Sequence, residues 1–158
     1  MQDNSGLPDD RHGVNSAFTA QSAHYDSDDR ANHVIQDLRR QVYKHVEGFI
    51  KPSSRILELN AGICIDAQYF ISKGHSVLAT DLSDGMVNEL KKKKIEARQI
   101  SYEQISQIGE RFDFVFSNFG GLNCIDDLSK VTTHLPGLLN TGGVVTFVIM
   151  PKISPWEI

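Results

Sequence analysis

Apolar residues recur along this chain in two rhythms, and the alternation between them outlines a fold. The first rhythm is helical. Val34, Leu38, Val42, Val46 and Ile50 are spaced by four, with Ile35 and Phe49 widening the stripe. That spacing predicts an amphipathic helix packed on a neighbour. Gly48 weakens its end, and Pro52 with Ser53 and Ser54 stops it. The second rhythm is the short, nearly continuous apolar run. Arg55–Leu59, Ser76–Asp81, Phe112–Ser117 and Val144–Met150 are of this kind, and a weaker one covers Ala97–Ser101. Short runs that are apolar on both faces read as strands of a covered sheet.

Helical spacing returns between the runs. Ile65–Ile71 is closed by Gly74. Ser83 is a candidate N-cap for a helix through Met86 that runs out in Lys91–Lys94. Cations in a last turn complement the helix dipole, so the lysine run needs no nucleic-acid reading. A short helical piece covers Glu103–Ile108. Asp126–Leu139 has helical spacing at Leu128, Val131, Leu135 and Leu138, interrupted by Pro136. Asn140-Thr141-Gly142-Gly143 reads as a turn before the last run. One helix followed by strands alternating with helices predicts an α/β fold. Its economical topology is a doubly wound sandwich, a mostly parallel sheet of about five strands with helices on both faces.

Composition narrows the class. With 158 residues, 40% hydrophobic and 23% charged, the chain matches an ordinary globular domain. Residues 1–20 lack periodicity and read as a flexible tail, leaving 21–158 as the domain. Sixteen basic against twenty acidic side chains give a net charge of −4, which argues against DNA and against an anionic membrane surface. No apolar run approaches the roughly 18 residues of a membrane span, and no signal peptide is visible. Two cysteines make neither a disulfide framework nor a zinc site, so no metal is expected and a reduced, cytoplasmic setting is.

In such a sheet, ligands bind beyond the carboxyl ends of the strands. Glu58-Leu59-Asn60-Ala61-Gly62 ends the first run, with Gly62 and the small Ala61 allowing close backbone approach. Taken alone, it is equally an ordinary strand-to-helix turn. Asp81 ends the second run about twenty residues later, where an acid can accept from both hydroxyls of a ribose. Alone, it is equally a cap beside Ser83. Ser117-Asn118-Phe119-Gly120-Gly121 ends the fourth run with polar, aromatic and glycine residues that suit a pocket wall better than a core. Ser101 and Tyr102 follow the third run and carry a weaker signal. At the dinucleotide-fingerprint positions stand Asn60, Gly62 and the bulky Ile65. Ile65 counts against a pyrophosphate at the helix start, and no Gly-Lys-Ser or Gly-Lys-Thr is present for a P-loop. A ligand with a ribose and no pyrophosphate fits better.

With these residues in place, the chain resembles the class I (Rossmann-like) S-adenosylmethionine-dependent methyltransferases over roughly residues 20–151. The resemblance rests on Ile56–Gly62, Ala79–Met86, Phe112–Asn118 and the Leu138–Gly143 turn, in that order and spacing. It implies S-adenosylmethionine as cofactor, S-adenosylhomocysteine as product, and methyl transfer to an acceptor the sequence does not identify: a small molecule is the first expectation, with lipid precursor, protein and RNA open and the lack of a basic patch weighing against RNA. It also implies roles for residues. Glu58, Asn60, Ala61 and Gly62 face the methionine part, and Asp81 binds the ribose hydroxyls. Leu82 and Met86 flank the adenine, and Ser101 and Tyr102 border its amine. Ser117, Asn118 and Phe119 lie near the sulfonium and the acceptor. Tyr25 closes over the cofactor. Asn60 and Cys64 replace the first and third glycines of the family loop, and Cys64 stands where it crowds the cofactor. No general base is assigned, His24 being the first candidate. The family fold continues past the fifth strand, so the chain reads as truncated, without the last two strands. The rival readings are a non-catalytic S-adenosylmethionine-binding module and, less favoured by Ile65, an NAD-dependent oxidoreductase.

Overall fold

A computed structural model describes residues 32–62 and 64–151. The first helix, α1 (His33–Val46), starts at Asn32, whose side chain accepts from the Val34 and Ile35 backbone N–H groups. The predicted stripe packs on the core in its second half, at Val42, Val46 and Ile50, but not in its first. Arg39, Tyr43 and Val46 are buried, while Val34 and Leu38 are exposed. In the first half Arg39 takes the inward position, where it finds an acidic partner inside the fold. The helix also stops at Val46, four residues before Ile50.

The predicted strands form one parallel sheet in the order β3-β2-β1-β4-β5. They are β1 (Arg55–Leu59), β2 (Ser76–Asp81), β3 (Glu96–Gln99), β4 (Phe112–Ser117) and β5 (Leu139–Phe147). The run at Ile100–Ser101 lies past the end of β3. Between the strands lie α2 (Ile65–Ser72) and α3 (Asp84–Lys92), the latter capped by Ser83 accepting from the Met86 N–H. A 3-10 segment, Tyr102–Ile108, is closed by Ser101 and Gln104 at its start and by Gly109 at its end. A second, Gly121–Cys124, follows β4. The predicted helix over 126–139 is instead two short ones, α4 (Ser129–Thr132) and α5 (Leu135–Leu138), separated at Thr133 and His134, with Pro136 in the first turn of α5.

The last strand begins earlier than predicted. Leu139 already pairs with Phe112, and the Asn140–Gly143 stretch is accommodated as an irregularity before Val144 pairs with Phe114. Gly142, at φ +75°, makes that detour. β5 forms one edge of the sheet and is partly exposed along most of its length, with no charge or proline from Leu139 to Met150.

Both faces of the sheet are covered. On one, Ile56, Val77, Ala79, Phe114 and Phe116 pack with Val46 of α1, Phe70 of α2 and Leu90 of α3. On the other, Leu57, Leu59, Leu78 and Val115 pack with Ile105, Ile108, Leu122, Val131 and Leu138. The doubly wound expectation thus holds, with the second face covered by short helical pieces. All the strands run the same way, so every strand-to-helix loop opens on one edge of the sheet.

Candidate functional site

The carboxyl ends of β1, β2 and β4 open into a cavity of about 640 Å³. The loop after β1 carries three left-handed residues, Asn60 (φ +48°), Gly62 (+54°) and Cys64 (+90°). It is fastened to β2 through the Ala61 N–H, which donates to the Thr80 carbonyl at 2.9 Å. The space a side chain at Gly62 would enter is empty, with no atom within 4 Å. The same turn thus leaves the backbone bare toward the cavity. Its N–H donates to Asp81 Oδ2 at 2.9 Å, and the Ser83 N–H donates to Asp81 Oδ1 at 2.8 Å. The two N–H groups fix the carboxylate across the loops after β1 and β2. Burial raises the Asp81 pKa, and the backbone donors oppose that rise.

Beside this lies a buried polar cluster that periodicity did not suggest. Arg39 Nη1 donates to Asp66 Oδ1 at 2.6 Å. Asn118 Nδ2 lies 3.2 Å from both Asp66 oxygens, and the Tyr43 hydroxyl donates to Oδ1. The Arg39 guanidinium lies over the Phe119 ring, 4.5 Å from its centroid. One cation thereby joins α1, α2 and the loop after β4. Glu58 is buried nearby, with Oε2 unpartnered. Burial holds its pKa well above 4.5; Asp66 adds to the rise and Arg39 works against it.

A second network crosses the floor. Asn60 Oδ1 accepts from the Tyr102 and Ser117 hydroxyls, each at 2.9 Å, and Nδ2 donates to the Asn118 carbonyl at 3.4 Å. The Tyr102 hydroxyl also lies 3.0 Å from the Gly121 carbonyl.

Of the residues singled out from sequence, Asn60, Ala61, Gly62, Asp81, Leu82, Met86, Ser101, Tyr102, Asn118 and Phe119 line this one cavity. Glu58 and Ser117 do not line it; both are buried beneath its floor. Tyr25 and His24 lie outside the described residues. Cys64 does not crowd the cavity: it is fully buried in the core, its side chain turned inward by the left-handed backbone. Ile65 does line it, at the start of α2. Sequence reasoning missed Arg39 and Asp66. For Arg39 the one trace in the sequence is that it shares a helical face with Tyr43 and Val46; for Asp66 there is none. None of the described histidines lines the cavity, and no helix among the described residues is long and apolar enough to cross a membrane.

A five-stranded parallel sheet in this order, with its cavity at the carboxyl edge, is the class I methyltransferase fold. Residues 56–143 match the family model of a methyltransferase domain, and the chain belongs to that family. Malonyl-[acyl-carrier protein] O-methyltransferase of Hamiltonella defensa is 30% identical over 96 residues, which are 60% of this chain and 37% of that protein. Among solved structures, the DhpI–SAH complex superposes with a TM-score of 0.70 at 21% identity, covering 87% of this chain and 67% of the other. Glycopeptide N-methyltransferase MtfA complexed with (S)-adenosyl-L-methionine gives 0.61 at 19% identity, covering 68% and 52%. The chain spans about half of that structure and little more than a third of the curated relative.

Proposed function

We propose that the chain binds S-adenosylmethionine and transfers its methyl group to a small-molecule acceptor in the cytoplasm. The observation that carries the reading is the Asp81 carboxylate, fixed by the Gly62 and Ser83 N–H groups at the edge of the cavity. A carboxylate accepting one N–H at each oxygen keeps lone pairs for two further donors, as the two hydroxyls of a ribose require. The bare backbone at Gly62 accommodates a ligand in close contact. The charge also fits. The cavity is lined by Asp66, Asp81, Glu103 and Asp126 against Arg39 and Lys130, an acidic balance that favours a sulfonium.

Held there, the cofactor would supply an electrophilic methyl group on a sulfonium, open to in-line displacement by an acceptor lone pair with the sulfur–methyl electron pair returning to sulfur. The chain's own residues hold and orient. Asp81 anchors the ribose, and Leu82 and Met86 flank the adenine, with Ser101 and Tyr102 at its rim. Asn60, Ala61 and Gly62 border the methionine half, above the buried Glu58. Asn118 and Phe119 form the acceptor side, above the buried Ser117. Alignment of this kind contributes about 7–11 kcal/mol to such a reaction.

Thermal unfolding with S-adenosylhomocysteine, and separately with NAD, tests the reading. At 100 times its dissociation constant a ligand stabilises by about 2.7 kcal/mol, a rise of roughly 5–10 °C in Tm at this size. The expected result is a rise with S-adenosylhomocysteine that disappears in Asp81→Ala. A rise with NAD alone overturns the proposal.

A further inference from the structure

Asn60 stands at φ +48°, a conformation glycine adopts without strain, yet its side chain is engaged on every polar atom. The reason lies across the cavity, at Gly121. A Cβ built on Gly121 would fall 1.9 Å from Asn60 Nδ2 and 2.1 Å from Cγ. The amide therefore fills the volume that any other residue at 121 would claim, and the two positions are complementary. Through that amide, three loops become one unit. Asn60 follows β1, Tyr102 follows β3, and Ser117, Asn118 and Gly121 belong to the end of β4 and its loop. β3 and β4 are not neighbours in the sheet, since β2 and β1 lie between them. Tyr102 spans that gap to reach Asn60 and the Gly121 carbonyl.

On its other side the braced loop is held by Asn118 on Asp66, by Arg39 over Phe119 and by the Gly120 N–H on the Val148 carbonyl; the Asn60 amide is what ties it to the β1 loop. Phe119 (φ +45°) and Gly120 (φ +72°) are both left-handed, and a Cβ at Gly120 would meet Met150 Cε at 2.6 Å. Such a turn keeps one shape only where its surroundings impose it. We infer that Asn60 is a positioning residue: with Tyr102 and Ser117 it locks the Asn118–Gly121 loop against the β1 loop, fixing the wall that the homocysteine half of the cofactor lies against. This rests on the cofactor reading above and deepens it. The adenosine half is anchored at Asp81, which Gly62 and Ser83 hold rather than Asn60, and shares with the brace only Tyr102 at the adenine's rim. The two halves of the ligand therefore respond differently to its loss.

Calorimetric titration of the full chain with S-adenosylhomocysteine and with adenosine makes the test. Asn60→Gly relieves the left-handed backbone, so the fold is kept. It is expected to weaken S-adenosylhomocysteine by about tenfold or more while adenosine changes by less than about threefold, since the loop must then be ordered on binding. Gly121→Ala, which drives a methyl into the amide, is expected to weaken S-adenosylhomocysteine at least as much. Asn60→Gly/Gly121→Ala, in which that methyl has room, is expected to bind it better than Gly121→Ala alone. Equal losses for both ligands in Asn60→Gly, no loss for either, or no recovery in the double variant overturns the inference and leaves the cofactor reading standing. A wild-type chain that binds no S-adenosylhomocysteine overturns both.

Discussion

The two edges of this sheet use the same chemistry, guanidinium against carboxylate, in opposite ways. At the amino-terminal edge Arg55 pairs with Glu96 at 2.8 Å and with Glu110 at 2.9 Å, and Arg98 also pairs with Glu110. These side chains are a quarter to a half exposed. At the carboxyl edge Arg39 and Asp66 are each 9% exposed, with Tyr43 and Asn118 on the same carboxylate. The outer ring is screened by water, so each of its pairs contributes little. The inner pair has been taken out of water, and its partners must replace the lost hydration. The difference teaches where charge here is structural convenience and where it is a commitment: the committed charges are those beside the cavity.

The largest break in that comparison is Arg39→Met. Removing the cation leaves Asp66 buried without its counter-charge, and a loss of about 3–5 kcal/mol in denaturant unfolding is expected. Arg39→Met/Asp66→Leu removes both charges and should recover most of it. A single variant as stable as wild type would place the inner pair in the same class as the outer ring.

Glu58 comes next, with the opposite sign. Its pKa is raised in the folded chain, so between 4.5 and that raised value the folded state holds a proton that the unfolded state has released. Stability therefore falls as pH rises through this window. Glu58→Gln is expected to flatten that fall and to raise unfolding free energy at pH 8, measured by urea titration across pH 5–8. Asp113 and Glu110 at the other edge have lowered pKa values, held down by donors from Arg55, Asn140 and Arg98. Their contribution is complete above their unfolded values and is lost as pH falls below about 4, through their folded ones.

Tyr43→Phe removes one hydroxyl donor from Asp66 and keeps the ring stacked 3.6 Å from Tyr69. A loss of about 1–2 kcal/mol is expected. The smallest effect is Glu110→Gln, which breaks outer-ring pairs to both arginines. It should cost less than about 1 kcal/mol at low salt and nothing measurable in 1 M NaCl. A salt-independent loss at Glu110 would erase the distinction between the two edges.

The parts of the fold that sequence revealed are those whose cause is local. β1, β2 and β4 are apolar runs closed by a polar residue, and their limits read directly. Ser83 sits at its cap, and Asp81 and the Gly62 loop sit at the cavity. What sequence hid depends on partners far along the chain. Arg39 reads as a solvent-facing charge until Asp66, 27 residues on, is seen beneath it. With Arg39 inward, Val34 and Leu38 are left exposed, while Val42 and Val46 stay on the core. Gly142 and Gly143 read as a turn, because nothing local says that Leu139 already pairs with Phe112. Asn60 reads as a departure from a glycine loop, and Gly121 as one of a glycine pair. Only across the cavity do they become a single fitted contact.

The strand order has a consequence in time. β1 is central, yet its two neighbours emerge from synthesis far apart: β2 follows it closely, whereas β4 comes after β3. Asn60 meets Ser117 only 57 residues later. At 5–20 residues per second this is roughly 3–11 s during which one flank of β1 has no native mate. The nascent chain must wait through that interval half-zipped, and its cavity acquires a far wall only after Gly121 has left the ribosome.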